Sequence, residues 1–362
     1  MTGTINEKQL SRIVLKGFKS IVECDIELNK INVLIGANGA GKSNFIGFFR
    51  MMQQLLEENL QVFVSRQGSP DSLLHFGRKT TEQLEFRLYF GNNGYFAALA
   101  ATQDNRLMFI KESFWWNLKG EYELGKGHFE TKAFSLTGTR IHANILSAMQ
   151  GWRVYHFHDT SDSAYVKQRH GINDNNYLRP DARNLAAFLY LLRENYPSSY
   201  QKIVKTVRLV APFFGDFYLR PSPQNNDFIE LEWFEQGHDI PFKAHLLSDG
   251  TLRFICLTTV FLQPEDFQPE TILVDEPELG LHPYAITVLA SLIRTVSKQV
   301  IVSTQSVELL NEFNASDVIV VDRNKGCSSL RRLKEQELET WLEDYSLGEL
   351  WKKNLIGGRP TK

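Results

Sequence analysis

GANGAGKS, residues 36–43, decides the reading of this chain. It has the form G-x-x-x-x-G-K-[ST], follows the apolar run INVLI and precedes a segment with helical spacing. Strand, loop and helix therefore stand in the order that a phosphate-binding loop needs. Gly36, Gly39 and Gly41 let the backbone curl until successive N–H groups point inward, and the dipole of the helix that follows adds positive potential. Asn38, Ala40 and Asn44 complete the candidate phosphate cradle. Lys42 is placed to reach the β and γ phosphates, and Ser43 to ligate Mg²⁺. A nucleoside triphosphate site is the expectation.

A second stretch, ILVDEPELGLHP (residues 272–283), supplies what the first lacks. ILVD is a buried-strand pattern ending in Asp275, whose carboxylate can hold Mg²⁺ through its water shell. Alternate strand residues point to opposite faces, so Glu276 does not duplicate Asp275. It is placed instead to orient, or take a proton from, an attacking water. A third stretch, LLSDGTLRF (residues 246–254), reads as a turn at Ser248, Asp249 and Gly250 that opens a helix, again an anion site at a helix N-terminus. VIVSTQS (residues 300–306) follows the carboxylate strand.

That order of motifs resembles the ABC-type ATPase head of the RecF and SMC branch. More narrowly, the chain is similar to the small, stand-alone AAA-21 type predicted ATPases. The resemblance is carried by LKGFKSIVECDIELNKINVLIGANGAGKSN, WRVYHFHDTS, LLSDGTLRF, DEPELGLHPYA and the tail YSLGELWKKNLIGGRP. It implies an α/β fold: an ABC-ATPase head, or P-loop NTPase, with an N-terminal antiparallel β-lobe and a helical insertion lobe. It implies ATP and Mg²⁺ as cofactors, a homodimer closed head to head around ATP, and Ser248 with Gly250 completing the nucleotide site of the second subunit. Glu276, Lys42 and Gln305 are the catalytic candidates, and Ser43 and Asp275 the metal ligands.

Two departures qualify the resemblance. Such heads usually carry a histidine at the position of Gln305, and a glutamine amide can donate a hydrogen bond to phosphate but cannot carry charge. Slow turnover and a sensor's role for Gln305 are expected. The signature reads SDGT, and Asp249 is expected to form the turn and not to touch phosphate. Gln67 lies where a Q-loop residue would be sought, with Gln53, Gln54 and Gln61 as alternatives, and each reads better as a solvated side chain.

At 362 residues and 43% hydrophobic content the chain can bury a sizeable core. Cys24, Cys256 and Cys327 are scattered, without the spacing of a disulfide framework or zinc site. No signal-peptide pattern opens the sequence and no apolar run is long enough to span a bilayer, so a cytoplasmic protein with no membrane partner is expected. A net charge of −2 gives no global footprint for nucleic acid. DNA contact is thus an implication of the resemblance alone, and short basic runs such as RRLK (residues 331–334) read as solvated.

Four segments are expected: residues 1–132 as the first lobe with the phosphate loop and β-subdomain, 133–245 as a helical or mixed insertion, 246–335 with the signature helix, carboxylate strand and switch strand, and 336–362 as a tail. Residues 82–129 alternate and read as antiparallel hairpins. NLAAFLYLLREN and YQKIVKTVRLVAPFF read as helices, DFIELEWF as a strand, and DVIVVDR as the last strand of the sheet. His156, His158 and Asp159 allow a metal reading, with two imidazoles on one strand face, but a structural loop fits the Asp-Thr-Ser that follows better. The tail places Leu338, Trp341, Leu342 and Tyr345 on one helical stripe, with Leu350 and Trp351 beyond a break at Gly348.

The function expected is an ATPase that dimerises around ATP and regulates a protein effector, nuclease-like by the resemblance to ATPase components of phage-defence systems. Two alternatives stand beside it. One is a RecF-like repair ATPase that binds DNA directly; the other is an ATP-dependent sensor that hardly turns over.

Overall fold

The apolar runs read from the sequence become buried strands because Val, Ile and Leu fill both faces of a covered sheet. The structure is a computed structural model that describes residues 8–116, 120–135 and 140–359. The chain divides into two units: residues 1–154, 270–273 and 299–362 form the first, and residues 155–269 and 274–298 the second.

Among the described residues one sheet holds twelve strands. From one edge they run Gly120–Gly125, Leu107–Trp116, Asn93–Ala101, Gln83–Phe90, Arg12–Phe18, Ile21–Glu27, Cys327–Arg332, Val318–Asn324, Ile31–Ile35, Gln299–Thr304, Thr271–Asp275 and Trp152–Tyr155. The first six are antiparallel neighbours, and the first four of them are the hairpins expected from residues 82–129. Ile31–Ile35 lies in a parallel region, paired with Gln299–Thr304 on one side and Val318–Asn324 on the other. The strand that launches the phosphate loop is therefore held by two strands that lie far along the chain.

The helix Lys42–Leu56 starts where the loop ends. Phe45, Ile46, Phe49, Met52, Leu55 and Leu56, at the helical spacing of this segment, are buried, and so are Phe48 and Met51. Its apolar surface is wider than one stripe because the helix is covered on more than one side. Phe48 meets Phe18 and Phe86 edge-on at 5.9 and 5.2 Å, while Phe49 meets Trp152 at 5.1 Å. Each such buried ring contributes about 1.5–3 kcal/mol through the area it removes from water.

The second unit contains the helices Leu185–Asn195, Pro197–Val210, Asp249–Leu262 and Pro283–Thr295. A small antiparallel sheet of Phe214–Phe217, Glu232–Glu235 and Pro241–Lys243 packs around Trp233, which stacks on Phe214 at 5.9 Å. The run DFIELEWF does not form one strand: Phe228–Ile229 pairs with His170–Gly171, and Glu232–Glu235 belongs to the three-stranded sheet.

Three other expectations are corrected. DVIVVDR is not the last strand, because Cys327–Arg332 folds back antiparallel on Val318–Asn324. Within RRLK, Arg332 is not a solvated charge; its guanidinium donates to the carbonyls of Glu27 and Ser316. The tail breaks before Gly348, not at it. Glu335–Leu342 ends, and Ser346 then caps a second helix, Leu347–Lys352, in a capping box with Glu349 that leaves Gly348 inside the first turn. No helix among the described residues is long and apolar enough to cross a membrane.

Candidate nucleotide site

The loop at residues 36–43 owes its path to contacts that only glycine permits. A Cβ on Gly36 would lie 2.3 Å from the carbonyl oxygen of Val321, and one on Gly41, at φ 122°, would lie 2.2 Å from Ser328 Oγ. Ser328 Oγ in turn bonds the Ala40 carbonyl and Ser20 Oγ, and Asn44 Nδ2 donates to the same Ser20 Oγ at 2.6 Å. Arg323 donates to the Gly39 carbonyl at 2.8 Å. The loop is thus braced from behind by the Val318–Arg332 hairpin. Asn44, expected at the phosphate, has its amide on Ser20.

No side chain caps the helix Lys42–Leu56, so its first-turn N–H groups are presented at the loop. Lys42 is buried, and its Nζ donates to the carbonyls of Gly36 at 2.6 Å and Ala37 at 3.2 Å, folded across the loop that it would serve. Asn38, Gly39 and Ser43 are exposed. An uncapped helix start, a buried lysine ammonium and a glycine cradle together fit a phosphate chain. Gln305 is exposed between the end of Gln299–Thr304 and Ser306, whose hydroxyl accepts from the Leu309 N–H at 3.1 Å and caps the short helix after it.

In the second unit, Asp275 ends its strand with 7% exposure. Glu276 follows in the left-handed region, at φ 46°, a conformation that costs a residue bearing a side chain about 1–3 kcal/mol. Ser248 caps Asp249–Leu262 by accepting from the Thr251 N–H at 3.2 Å, and it and Asp249 are exposed. Gly250 has no room for a Cβ, which would meet the Gly280 carbonyl oxygen at 2.3 Å.

The sequence reading missed the residue that ties these pieces together. Arg253 donates to the carbonyls of Phe157, His158 and Leu279 at 3.0, 2.8 and 2.9 Å. The His158 ring donates from Nε2 to the Asp275 carbonyl at 3.0 Å. Arg253 thus pins the Phe157–His158 segment, whose His158 ring meets Asp275, and the turn after the Asp275–Glu276 pair. His156 and His158 lie beyond the end of Trp152–Tyr155, so they do not share a strand face, although their rings approach to 3.9 Å. No group of three or more potential metal ligands occurs among the described residues. Of the glutamines, Gln61 is spent on the backbone of Leu107 and Phe129, and Gln53 on the Trp152 carbonyl. Gln67 ends its helix within 3.3 Å of Lys19 Nζ.

Residues 31–105 and 121–311 match the AAA_21 family, described as an AAA domain, putative AbiEii toxin, Type IV TA system. The chain belongs to this family. Over 166 residues it is 28% identical to the Old nuclease of Escherichia phage P2, a match that covers 40% of this chain and only 28% of that nuclease. Solved structures share its fold, two Smc heads among them. One is the SmcHead bound to the C-winged helix domain of ScpA, with a TM-score of 0.61 and 18% identity, covering 91% of this chain and 99% of that one. The other, from Pyrococcus furiosus, is the Smc head domain with an extended coiled coil bound to the C-terminal domain of ScpA, with a TM-score of 0.60, 17% identity, and coverage of 93% and 99%. As expected from the sequence, this AAA_21 protein has the mixed α/β fold of these Smc heads, built on a large sheet. Membership of the family carries nucleotide binding and, typically, Mg²⁺ with it.

Proposed function

We propose that this AAA_21 protein binds and hydrolyses ATP, closes as a homodimer around two nucleotides, and by that closure controls a separate nuclease-like protein. The observation that carries the reading is the braced glycine loop with its uncapped helix and buried Lys42. Lys42 neutralises charge on the β and γ phosphates, and loop N–H groups of residues 36–44 cradle them. Ser43 would ligate Mg²⁺ and Asp275 would hold it through its water shell, and the ion would neutralise phosphate charge. Glu276 orients the attacking water and takes its proton, and the strained backbone beneath it is what a side chain held for function would tolerate.

Ser248 and Gly250 serve the second subunit's nucleotide. The exposure of Ser248 at an N-cap supports this, since the helix start is open to an incoming anion. Gln305 reports on the γ-phosphate without supplying charge. The nuclease link is supported by the similarity of part of this chain to the Old nuclease of Escherichia phage P2.

Two variants test the reading at its centre. Lys42→Ala is expected to abolish ATP binding. Glu276→Gln is expected to keep binding and to slow hydrolysis by about 10²-fold, the contribution of a positioned base. Wild-type turnover in the glutamine variant would remove Glu276 from the mechanism.

A further inference from the structure

The tail YSLGELWKKNLIGGRP accounts for none of the chemistry assigned above, yet the structure brings it to the phosphate loop. Ser346 caps its second helix, Gly348 N–H donates to Asn311 Oδ1 at 2.7 Å, and Leu350 and Trp351 are buried. The chain then crosses the Val318–Arg332 hairpin. Arg331 donates to the Ile356 carbonyl at 3.1 Å, and Gly358 N–H donates to Asp322 Oδ1 at 2.6 Å. Gly357 and Gly358 both hold positive φ, at 81° and 79°. A Cβ on Gly358 would lie 3.4 Å from Gly36 Cα and 3.0 Å from the Trp351 indole nitrogen. Such an anchored approach fixes where the next residue, Arg359, stands.

Arg359 is exposed and makes no ion pair among the described residues. It lines two cavities that flank the first arm of the loop, one of about 230 Å³ and one of about 370 Å³. Ala37 and Asn38 line both with it, while Gln305 and Lys352 line the larger. A guanidinium without a carboxylate partner, set at the rim of an anion cradle, is arranged for a phosphate.

We propose that the tail is a wall of the nucleotide site and that Arg359 donates, within its own subunit, to the terminal phosphate. This rests on the reading of the loop and of Gln305 given above. It supplies what that reading lacks: Gln305 cannot carry charge, and the tail brings two cations to the same cavity. Arg359 takes the direct contact because its fork engages two phosphate oxygens and because it lines both cavities. Lys352 adds to the field.

The test uses the full chain, Mg²⁺, and calorimetric binding of ATP and of ADP. Arg359→Ala is expected to weaken ATP binding about tenfold and ADP binding less than about twofold, because only ATP carries the phosphate contacted. Arg359→Lys should recover part of the ATP affinity, and neither variant should shift the thermal midpoint measured without nucleotide. Unchanged ATP affinity in Arg359→Ala overturns the proposal, as does an equal loss for ATP and ADP. Lys42→Ala in the same assay separates the two readings. If it binds both nucleotides as wild type does, the loop is not the site and both readings fall; if it binds neither while Arg359→Ala binds both normally, only the tail's role is lost.

Discussion

Glu276 sits with its backbone in a region that suits glycine, one residue after a buried strand. Replacing it with glycine removes the Cβ that makes the conformation costly, a gain of about 1 kcal/mol. Glu276→Gly is therefore expected to melt at least as high as wild type, by about 2 °C for a chain of this size, while losing turnover. A lower melting point would show that the side chain holds the turn together. The cysteines give a second residue-level expectation. Burial pushes the Cys24 and Cys256 thiols up to about 12, whereas Cys327 is partly exposed. At pH 8 the buried pair stay protonated and unreactive, so native protein should take up one equivalent of a thiol reagent, at Cys327, and three only after unfolding. Modification of Cys256 in the native state would contradict this packing. The buried strand that ends at Asp275 was legible in the sequence because its pattern is local. Arg253 was not, because its three acceptors are backbone carbonyls at residues 157, 158 and 279, which no spacing rule connects.

The antiparallel hairpins were legible as elements, since an alternating, aromatic-rich pattern over residues 82–129, broken by GNNG and KGEYELGKG, has few other solutions. What alternation did not reveal is the polar group inside them. Glu112, in Leu107–Trp116, is fully buried, and Tyr95 and His128 bond its carboxylate at 2.6 and 2.7 Å, with Thr131 and the Lys132 N–H also donating. Burial next to that carboxylate holds the Tyr95 phenol well above its ordinary range, so it remains a donor throughout the accessible pH range. Glu112→Ala strands these donors in the core and is expected to cost about 3–5 kcal/mol, read as a lower urea midpoint. A loss below about 1 kcal/mol would mean that water takes the carboxylate's place. The tail shows the opposite failure. Gly348 looked like a break because glycine disfavours helix interiors, but the Ser346–Glu349 box sets the start and the glycine admits the Asn311 side chain.

For the whole molecule, the order of motifs announced the fold, since strand, loop, helix and a later carboxylate strand leave few arrangements open. It did not announce that the parallel region and the N-terminal hairpins join through Cys327–Arg332, a strand masked by its two arginines. The dimer proposal is tested at this scale. Ser248→Arg should leave ATP binding by one subunit intact and block closure, and Lys42→Ala should bind no ATP. Mixing the two is expected to restore part of the ATPase activity, because one site of the mixed dimer combines an intact Lys42 with an intact Ser248. Mixed dimers without recovery would mean that each site is completed within one chain.

Ile31–Ile35 is hydrogen-bonded on both sides by strands drawn from residues 299–324. During synthesis the phosphate-loop strand leaves the ribosome early and must wait for both neighbours, a long-range closure that slows folding. Nascent chains halted before residue 299 should therefore fail to retain ATP, although all of GANGAGKS has been made. Competence to bind nucleotide would then arrive late and at once, so abandoned fragments of this chain would hold no nucleotide.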